Sequence, residues 1–172
     1  MGWREDESCL WALTKKGKNS SGRAFFSHHI GGLENEATVD AFERAIGHLT
    51  TLMSARPAVI AADQHPNYYT TDYFLRRIES VGKDRNRGVR VQHHHAHIAK
   101  VLAEHRIDVP VVGVALDGTG YGPDGTIWGG EILVASLQSY YRAGHITTTP
   151  LPGGDKAVEE PWRMMISWLR AS

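Results

Sequence analysis

GVRVQHHHAHIAKVLAEHRIDVPVVGVALDGTGYG, residues 88–122, decides how the chain folds. Gly88 to Gln92 reads as a strand that runs straight into a histidine cluster, and His94 to Glu104 reads as a helix. Val111 to Leu116 is fully apolar and rich in β-branched residues, the pattern of a central strand covered on both faces. Asp117-Gly118-Thr119-Gly120-Tyr121-Gly122 then forms a glycine-crowded turn that opens on a carboxylate. Strand, helix, strand and turn in succession predict an α/β fold.

The flanking sequence extends this pattern. Val39, Phe42, Ile46, Leu49 and Met53 recur at helical spacing after Asn35, an N-cap, and Pro57 stops them. Ala58 to Ala62 is a short apolar run that predicts a buried strand ending at Asp63. Phe74, Ile78 and Val81 mark a second helix, begun near Thr70 or Thr71 and closed by Gly82. Beyond the turn, which extends to Gly125, Thr126 to Leu137 and Tyr140 to Thr148 read as strands, Pro150 to Asp155 as a loop, and Pro161 as the first turn of a closing helix. The expectation is a mixed sheet with flanking helices. Residues 1–21 are expected to be a ragged segment holding only a fragmentary strand from Cys9 to Thr14, with the folded part at 22–172.

Bulk composition narrows the functional classes. Hydrophobic content of 41% and charged content of 22% fit an ordinary soluble domain, and a formal net charge of zero offers no field for nucleic acid or an anionic membrane. The basic stretch Arg76, Arg77, Lys83, Arg85, Arg87 and Arg90 is offset by Glu79 and Asp84 and reads as a solvated helix end and loop. One cysteine, Cys9, excludes an internal disulfide and favours a reducing, cytoplasmic setting. No apolar run approaches the roughly 18 residues needed to span a bilayer.

His93 and His97 lie four apart, so on a helix they share a face, about 40° apart around the axis. Two imidazoles so placed can bind one divalent metal, although no glutamate follows His93 and the zinc-protease motif is absent. His94, Ile98, Val101 and His105 define an adjacent, largely apolar face suited to packing, and His94, His95 and His105 read as structural. A stable site needs a third protein donor. Asp117 lies at the carboxyl end of its strand, where α/β folds bind ligands. Gly118, Gly120 and Gly122 would let backbone amides approach phosphate oxygens, with Thr119 adding a hydroxyl. No helix follows, so the dinucleotide fingerprint is not met, and there is no Walker lysine. Gly129-Gly130-Glu131 reads as a bulge or close-packed bend. Asp63-Gln64-His65-Pro66 suits either the lining of the same cleft or a turn held by Asp63 and Pro66.

Taken together, these motifs resemble the HypF carbamoyltransferase family. The resemblance is carried by residues 92–97 and 117–122, Trp128-Gly129-Gly130-Glu131 and Leu151-Pro152-Gly153-Gly154-Asp155. Ser27-His28-His29-Ile30-Gly31, Leu33-Glu34-Asn35, Asp63-Gln64-His65-Pro66 and Glu160-Pro161-Trp162-Arg163 add to it, in the family's order, so that it covers Gly22 to Leu169. Gly32 and Gln64 depart from it, where the family usually has an acidic residue and a leucine.

The resemblance implies the first lobe of a Kae1-like domain, with the fold of actin, sugar kinases and Hsp70. In such enzymes a YrdC-like domain makes carbamoyl-adenylate from carbamoyl phosphate and ATP. The Kae1-like domain then passes the carbamoyl group to the C-terminal cysteine of a HypE-type acceptor, for the cyanide ligands of nickel–iron hydrogenase. The resemblance implies His93 and His97 as ligands of a divalent metal, iron or zinc, with magnesium a further option. It places Asp117, Gly118, Thr119, Gly120 and Gly122 at nucleotide phosphates. In complete members other domains precede this region, and a second lobe carrying a further aspartate ligand follows it. The chain is therefore expected to be part of a domain that does not turn over alone. Two alternatives are a Kae1-type tRNA threonylcarbamoyltransferase and a non-catalytic fragment that binds proteins through Met164, Met165 and Trp168.

Overall fold

In the computed structural model, residues 10–13, 23–33, 35–54, 57, 59–81, 87–154 and 156–171 are described. Cys9, Thr14, Ala58, Gly82 and Asp155, used above as boundaries, lie outside them, as does most of the segment 1–21. The chain divides into two units, Met1–Arg56 with Thr149–Ser172, and Pro57–Thr148.

In the first unit, β1 (Leu10–Leu13) pairs antiparallel with β2 (Arg23–Phe26), a strand the sequence patterns did not reveal. Helix α1 (Glu36–Leu52) begins where Asn35 accepts the Thr38 N–H at 3.0 Å, and it buries Phe42 and Ala45. It ends at Met53 and Ser54, ahead of Pro57, with Ser54 in the left-handed region at φ 48°. A short helix α4 (Lys156–Glu159) and then α5 (Trp162–Ala171) close the chain. The Ser167 hydroxyl of α5 donates to Pro150 O at 2.7 Å, while Met165, Trp168 and Leu169 are exposed.

The second unit opens with a β–α–β element. Strand β3 (Val59–Asp63) pairs parallel with β4 (Arg87–Val91), and α2 (Tyr69–Val81) connects them. Phe74 and Ile78 of α2 press onto β4 at Gly88, where a Cβ would lie 2.4 Å from Ile78 and 2.7 Å from Phe74. Helix α3 (His93–Glu104) follows β4 with a single residue between, and its apolar side rests on an antiparallel sheet ordered β5-β8-β9. These strands are β5 (Val111–Ala115), β8 (Glu131–Ala135) and β9 (Tyr140–His145). Ile98 and Leu102 of α3 join Trp128, Leu133 and Ala135 in one core. Fully burying a leucine such as Leu133 contributes about 1.5–3 kcal/mol.

Parallel and antiparallel pairing therefore both occur, in separate small sheets within an α/β architecture. Strand β5 differs from expectation. Among the described residues it is an edge of its sheet, and Val112 and Val114 are 69% and 60% exposed. An apolar run predicts cover on both faces, but only the alternate residues meet α3. Val101, too, points to solvent, because Ile98 and Leu102 set the buried side of the helix. The long strand expected from Thr126 is divided. Strands β6 (Gly120–Tyr121) and β7 (Ile127–Trp128) form a small hairpin, and Gly130 at φ +65° breaks the chain before β8.

Two polar clusters hold this region together. The Glu131 side chain is fully buried, and Arg142 meets it with two hydrogen bonds of 2.6 and 2.8 Å while lying over the Trp128 ring at 3.9 Å. At the hairpin tip, Asp124 accepts from Thr126 N, the Thr126 hydroxyl and Trp128 Nε1. Burial acts against ionisation of Asp124, but these hydrogen bonds outweigh it and hold the carboxyl below its ordinary range.

Arg142→Ala should lower the unfolding free energy by about 3–5 kcal/mol, because it strands a buried charge. Arg163→Ala, which breaks a pair with the more exposed Glu160, should cost about 1 kcal/mol or less. Urea titration measures both. Since the folded Asp124 carboxyl titrates below its unfolded value of 3.8, its contribution is complete above that value and is lost as pH falls through the folded one. Urea midpoints taken at about pH 6 and about pH 3 should therefore fall less in Asp124→Asn than in the wild type.

Candidate metal centre

The site grows from the junction of β4 and α3. Gln92 is extended, and its side-chain oxygen accepts the His95 N–H at 2.8 Å, which starts the helix at His93. The four-residue spacing then brings His93 and His97 together, with Nε2 to Nε2 at 3.1 Å. Asp117 reaches the same place from the end of β5. Its Oδ2 lies 2.8 Å from His93 Nε2 and 3.6 Å from His97 Nε2. One ligand atom from each of His93, His97 and Asp117 falls within a common span of 4.8 Å.

The fit to a cation is tested by the hydrogen atoms. Asp117 Oδ2 is buried and makes no hydrogen bond, although two ring nitrogens surround it. The two ring nitrogens meet each other in hydrogen-bond geometry, so the mismatch is confined to this carboxylate oxygen, which is crowded by nitrogens yet unbonded, as a ligand of a shared ion would be. Ligands at zinc bond lengths in a tetrahedron stand about 3.3 Å apart, and the separations of 2.8, 3.1 and 3.6 Å bracket that value. Two imidazoles and a carboxylate make a donor set suited to zinc or iron. The His97 side chain is 54% exposed, which leaves an open side for water or an anionic ligand.

Electrostatics favours the ligating forms. Burial depresses the pKa of His97, helped by His93 beside it, so the ring offers a lone pair rather than a proton. For Asp117, burial opposes ionisation, but positive charge on the His93 side and the Thr119 amide outweigh it and hold the carboxyl below its ordinary range, a part that a cation would take over once His93 turns its lone pair to it. The Thr119 N–H donates to Asp117 Oδ1 at 3.3 Å, forming a tight turn directly after the strand.

His94, read from sequence as structural, is completely buried and links the helix to this turn. Gln92 Nε2 donates to His94 Nδ1 at 3.0 Å, because its oxygen already serves the helix cap. The remaining His94 N–H, on Nε2, then donates to Asp117 O at 3.3 Å. Burial lowers the His94 pKa, which keeps this single-proton form. His95 turns away and bonds Ser136 O at 2.8 Å, and His105 caps the far end of the helix.

The glycines of the turn divide by role. A Cβ on Gly120 would meet the His94 ring at 2.6 Å and His93 at 2.8 Å, so this glycine lets the hairpin close on α3. Gly122 faces the Trp128 ring, and its N–H donates to Thr126 O at 2.8 Å within the hairpin. Packing thus accounts for both, and the Gly122 amide is committed inside the protein rather than directed at a ligand. Gly118 is exposed, with nothing within 4 Å of a Cβ built there. Behind it, a Cβ on Gly129 would strike Gly118 O at 2.3 Å, and Gly130 N–H donates to Asp117 O at 3.0 Å. The Trp128-Gly129-Gly130-Glu131 segment is therefore the close-packed bend expected of it, and it braces the Asp117 turn.

Asp63 was the residue whose role the sequence left undivided between cleft and turn. The structure gives it both contacts: Oδ1 accepts the His65 N–H at 2.7 Å, and Oδ2 lies 2.8 Å from His93 Nδ1. His65 stacks on Tyr68 and meets the edge of Tyr121, which joins the β3 end to the β6 hairpin.

Comparison with known proteins covers both halves of this geometry. Residues 14–104 match the HypF Kae1-like domain, and residues 113–172 match the carbamoyltransferase Kae1-like domain, second subdomain. Carbamoyltransferase HypF2 of Cupriavidus necator is 47% identical over 86% of this chain, and carbamoyltransferase HypF of Rhizobium leguminosarum bv. viciae is 43% identical over 87%. The chain spans only 18% and 19% of the lengths of those relatives. A full-length HypF solved in its phosphate- and nucleotide-bound form superposes with a TM-score of 0.74 at 41% identity, covering 85% of this chain and 18% of that one. With the first of those domain models covering more than half the chain and the second most of the rest, the protein belongs to the HypF carbamoyltransferase family, within its Kae1-like domain.

Proposed function

We propose that this chain supplies the metal-bearing part of a carbamoyl-transfer site. The observation that carries the reading is the convergence of His93, His97 and Asp117 around a buried carboxylate oxygen that has no hydrogen bond. A divalent ion held by these three, iron or zinc, would act as a Lewis acid and template for anionic oxygens. Gly118 and Thr119, on the open side of the turn, face the nucleotide phosphates in this reading, with magnesium as the usual companion of ATP. Gly120 and Gly122 hold the turn from behind. The solved relative was captured with phosphate and nucleotide bound, so a protein of this family handles both groups.

The reaction follows from that placement. Carbamoyl-adenylate, made from carbamoyl phosphate and ATP by a YrdC-like domain, binds with its phosphate against the Asp117 turn. The thiolate of a C-terminal cysteine on a HypE-type acceptor attacks the carbamoyl carbon. A carbon–sulfur bond forms, the bond from that carbon to the adenylate oxygen breaks, and AMP leaves. The Thr119 hydroxyl and the Gly118 backbone offset charge on the departing phosphate. In this reading the nucleophile is the acceptor's thiolate, and the cluster of two imidazoles and a carboxylate serves to hold the ion. The second lobe of the Kae1-like domain would add nucleobase contacts and a further aspartate ligand. The carbamoylated thiol is the precursor of the cyanide ligands of nickel–iron hydrogenase. Among the described residues no helix is long and apolar enough to cross a membrane. The reading sets the reaction in the cytoplasm.

Titration with zinc or cobalt(II) should give one bound ion per chain. His93→Ala, His97→Ala and Asp117→Ala should each weaken binding by more than the roughly 100-fold that outer contacts command, while His105→Ala leaves it unchanged. Unaltered affinity in the three variants would remove the site. ATP should bind more tightly when the ion is present, and His97→Ala should erase that gain while the circular dichroism stays the same. Equal ATP affinity with and without metal would separate nucleotide from this centre.

A further inference from the structure

We infer that Asp63 is a positioning residue that sets the tautomer of His93, keeping the ring proton on Nδ1 so that Nε2 can ligate. The inference rests on the metal reading above. Strand register brings the two residues together: Asp63 pairs with Val91, the last residue of β4, and α3 begins two residues later. The His93 ring then stands between two carboxylates, each at 2.8 Å. They are not equivalent. The Nδ1 contact to Asp63 has hydrogen-bond geometry, whereas Asp117 Oδ2 receives no hydrogen bond. An ionised carboxylate only accepts, so the ring proton faces Asp63 and the lone pair faces Asp117 and His97. A metal-binding imidazole keeps its one N–H on the side away from the ion, held by a carboxylate or carbonyl.

The competing account is that Asp63 merely forms the turn into His65. Substitution by asparagine separates the two. The His65 N–H claims the amide oxygen, as it now claims Oδ1, so the turn survives. The amide NH2 is thereby placed against His93 Nδ1. Because NH2 only donates, the ring must accept there and carry its proton on Nε2, inside the ligand cluster. An amide in place of the carboxylate behind a histidine forces the wrong tautomer in the same way in serine proteases. Alanine removes the turn contact and the tautomer bias together.

The test is zinc affinity, by competition with a chromogenic chelator, for the wild-type chain, Asp63→Asn, Asp63→Ala and His93→Ala, with a thermal melt of each. Asp63→Asn should bind zinc about 10–100-fold more weakly while melting close to the wild type, and Asp63→Ala should lose no more affinity than Asp63→Asn. Wild-type affinity in Asp63→Asn, or a far larger loss in Asp63→Ala than in Asp63→Asn, would reduce Asp63 to a turn former and overturn the inference. If Asp63→Ala fails to fold, Asp63→Asn decides alone. If the wild type binds no zinc and His93→Ala does not differ from it, the metal reading falls and takes this inference with it. If His93→Ala weakens binding and Asp63→Asn does not, only the tautomer assignment falls.

Discussion

Two ring nitrogens and a carboxylate oxygen, brought within 2.8 to 3.6 Å of one another with no hydrogen bond to the oxygen, form an arrangement that a positive charge among them would stabilise. A buried acceptor left unsatisfied costs about 1–3 kcal/mol, and more when charged. The fold sustains that cost by making the three positions depend on separate supports. His93 is placed by the start of α3 and by β3, through the Asp63–Val91 register. His97 follows from the helical repeat. Asp117 is held by its own strand, by His94 at its carbonyl, and by the Gly130 amide at the same carbonyl. The exposed edge of the cluster is the His97 ring, whereas His93 and Asp117 are the more enclosed members.

The bracing continues beneath the turn. Trp128 fills the space behind Gly122, Asp124 fixes the indole N–H, and Arg142 lies over the indole face while neutralising buried Glu131. Glu131 also accepts the Gly129 N–H at 3.0 Å, and Gly129 is the residue on which Gly118 rests. The buried ion pair is thus wired to the Asp117 turn through Gly129, where a Cβ would strike Gly118 O at 2.3 Å. A charge pair so buried is rarely stabilising in itself. Its value here is that it fixes where the backbone of the bend must pass.

Much of this was legible in the sequence, and the failures share a cause. The pairing of His93 with His97 follows from helical periodicity alone, as does the N-cap at Asn35. Asp117 was legible as a residue at a strand's end suited to facing a ligand, but not as the neighbour of His93 and His97, because a carboxylate there suits a phosphate site equally well. Its direction is set by His94 and Gly130, both remote in sequence. Gly120 and Gly122 suggested phosphate amides, yet the rings that require them belong to His94 and Trp128, which no local pattern pairs with them. The β5 run carried apolar residues on both faces and so read as central, although only one face meets α3. Local spacing shows what an element is; it does not show which neighbour each of its faces meets.

The histidine run shows why such density need not be redundancy. Each residue along α3 turns by about 100°, so consecutive rings meet different elements. His93 faces the ligand cluster, His94 the backbone of Asp117, and His95 the carbonyl of Ser136, after which His97 returns to the first face. A helix begun one residue later would exchange every one of these roles, so the phase of the start matters more than its strength. Gln92 controls that phase with one side chain. Its oxygen caps His95, and its NH2 is thereby directed at His94 Nδ1, which sends the His94 proton toward Asp117. The same amide that starts the helix therefore also decides which nitrogen of its second residue holds the Asp117 turn in place.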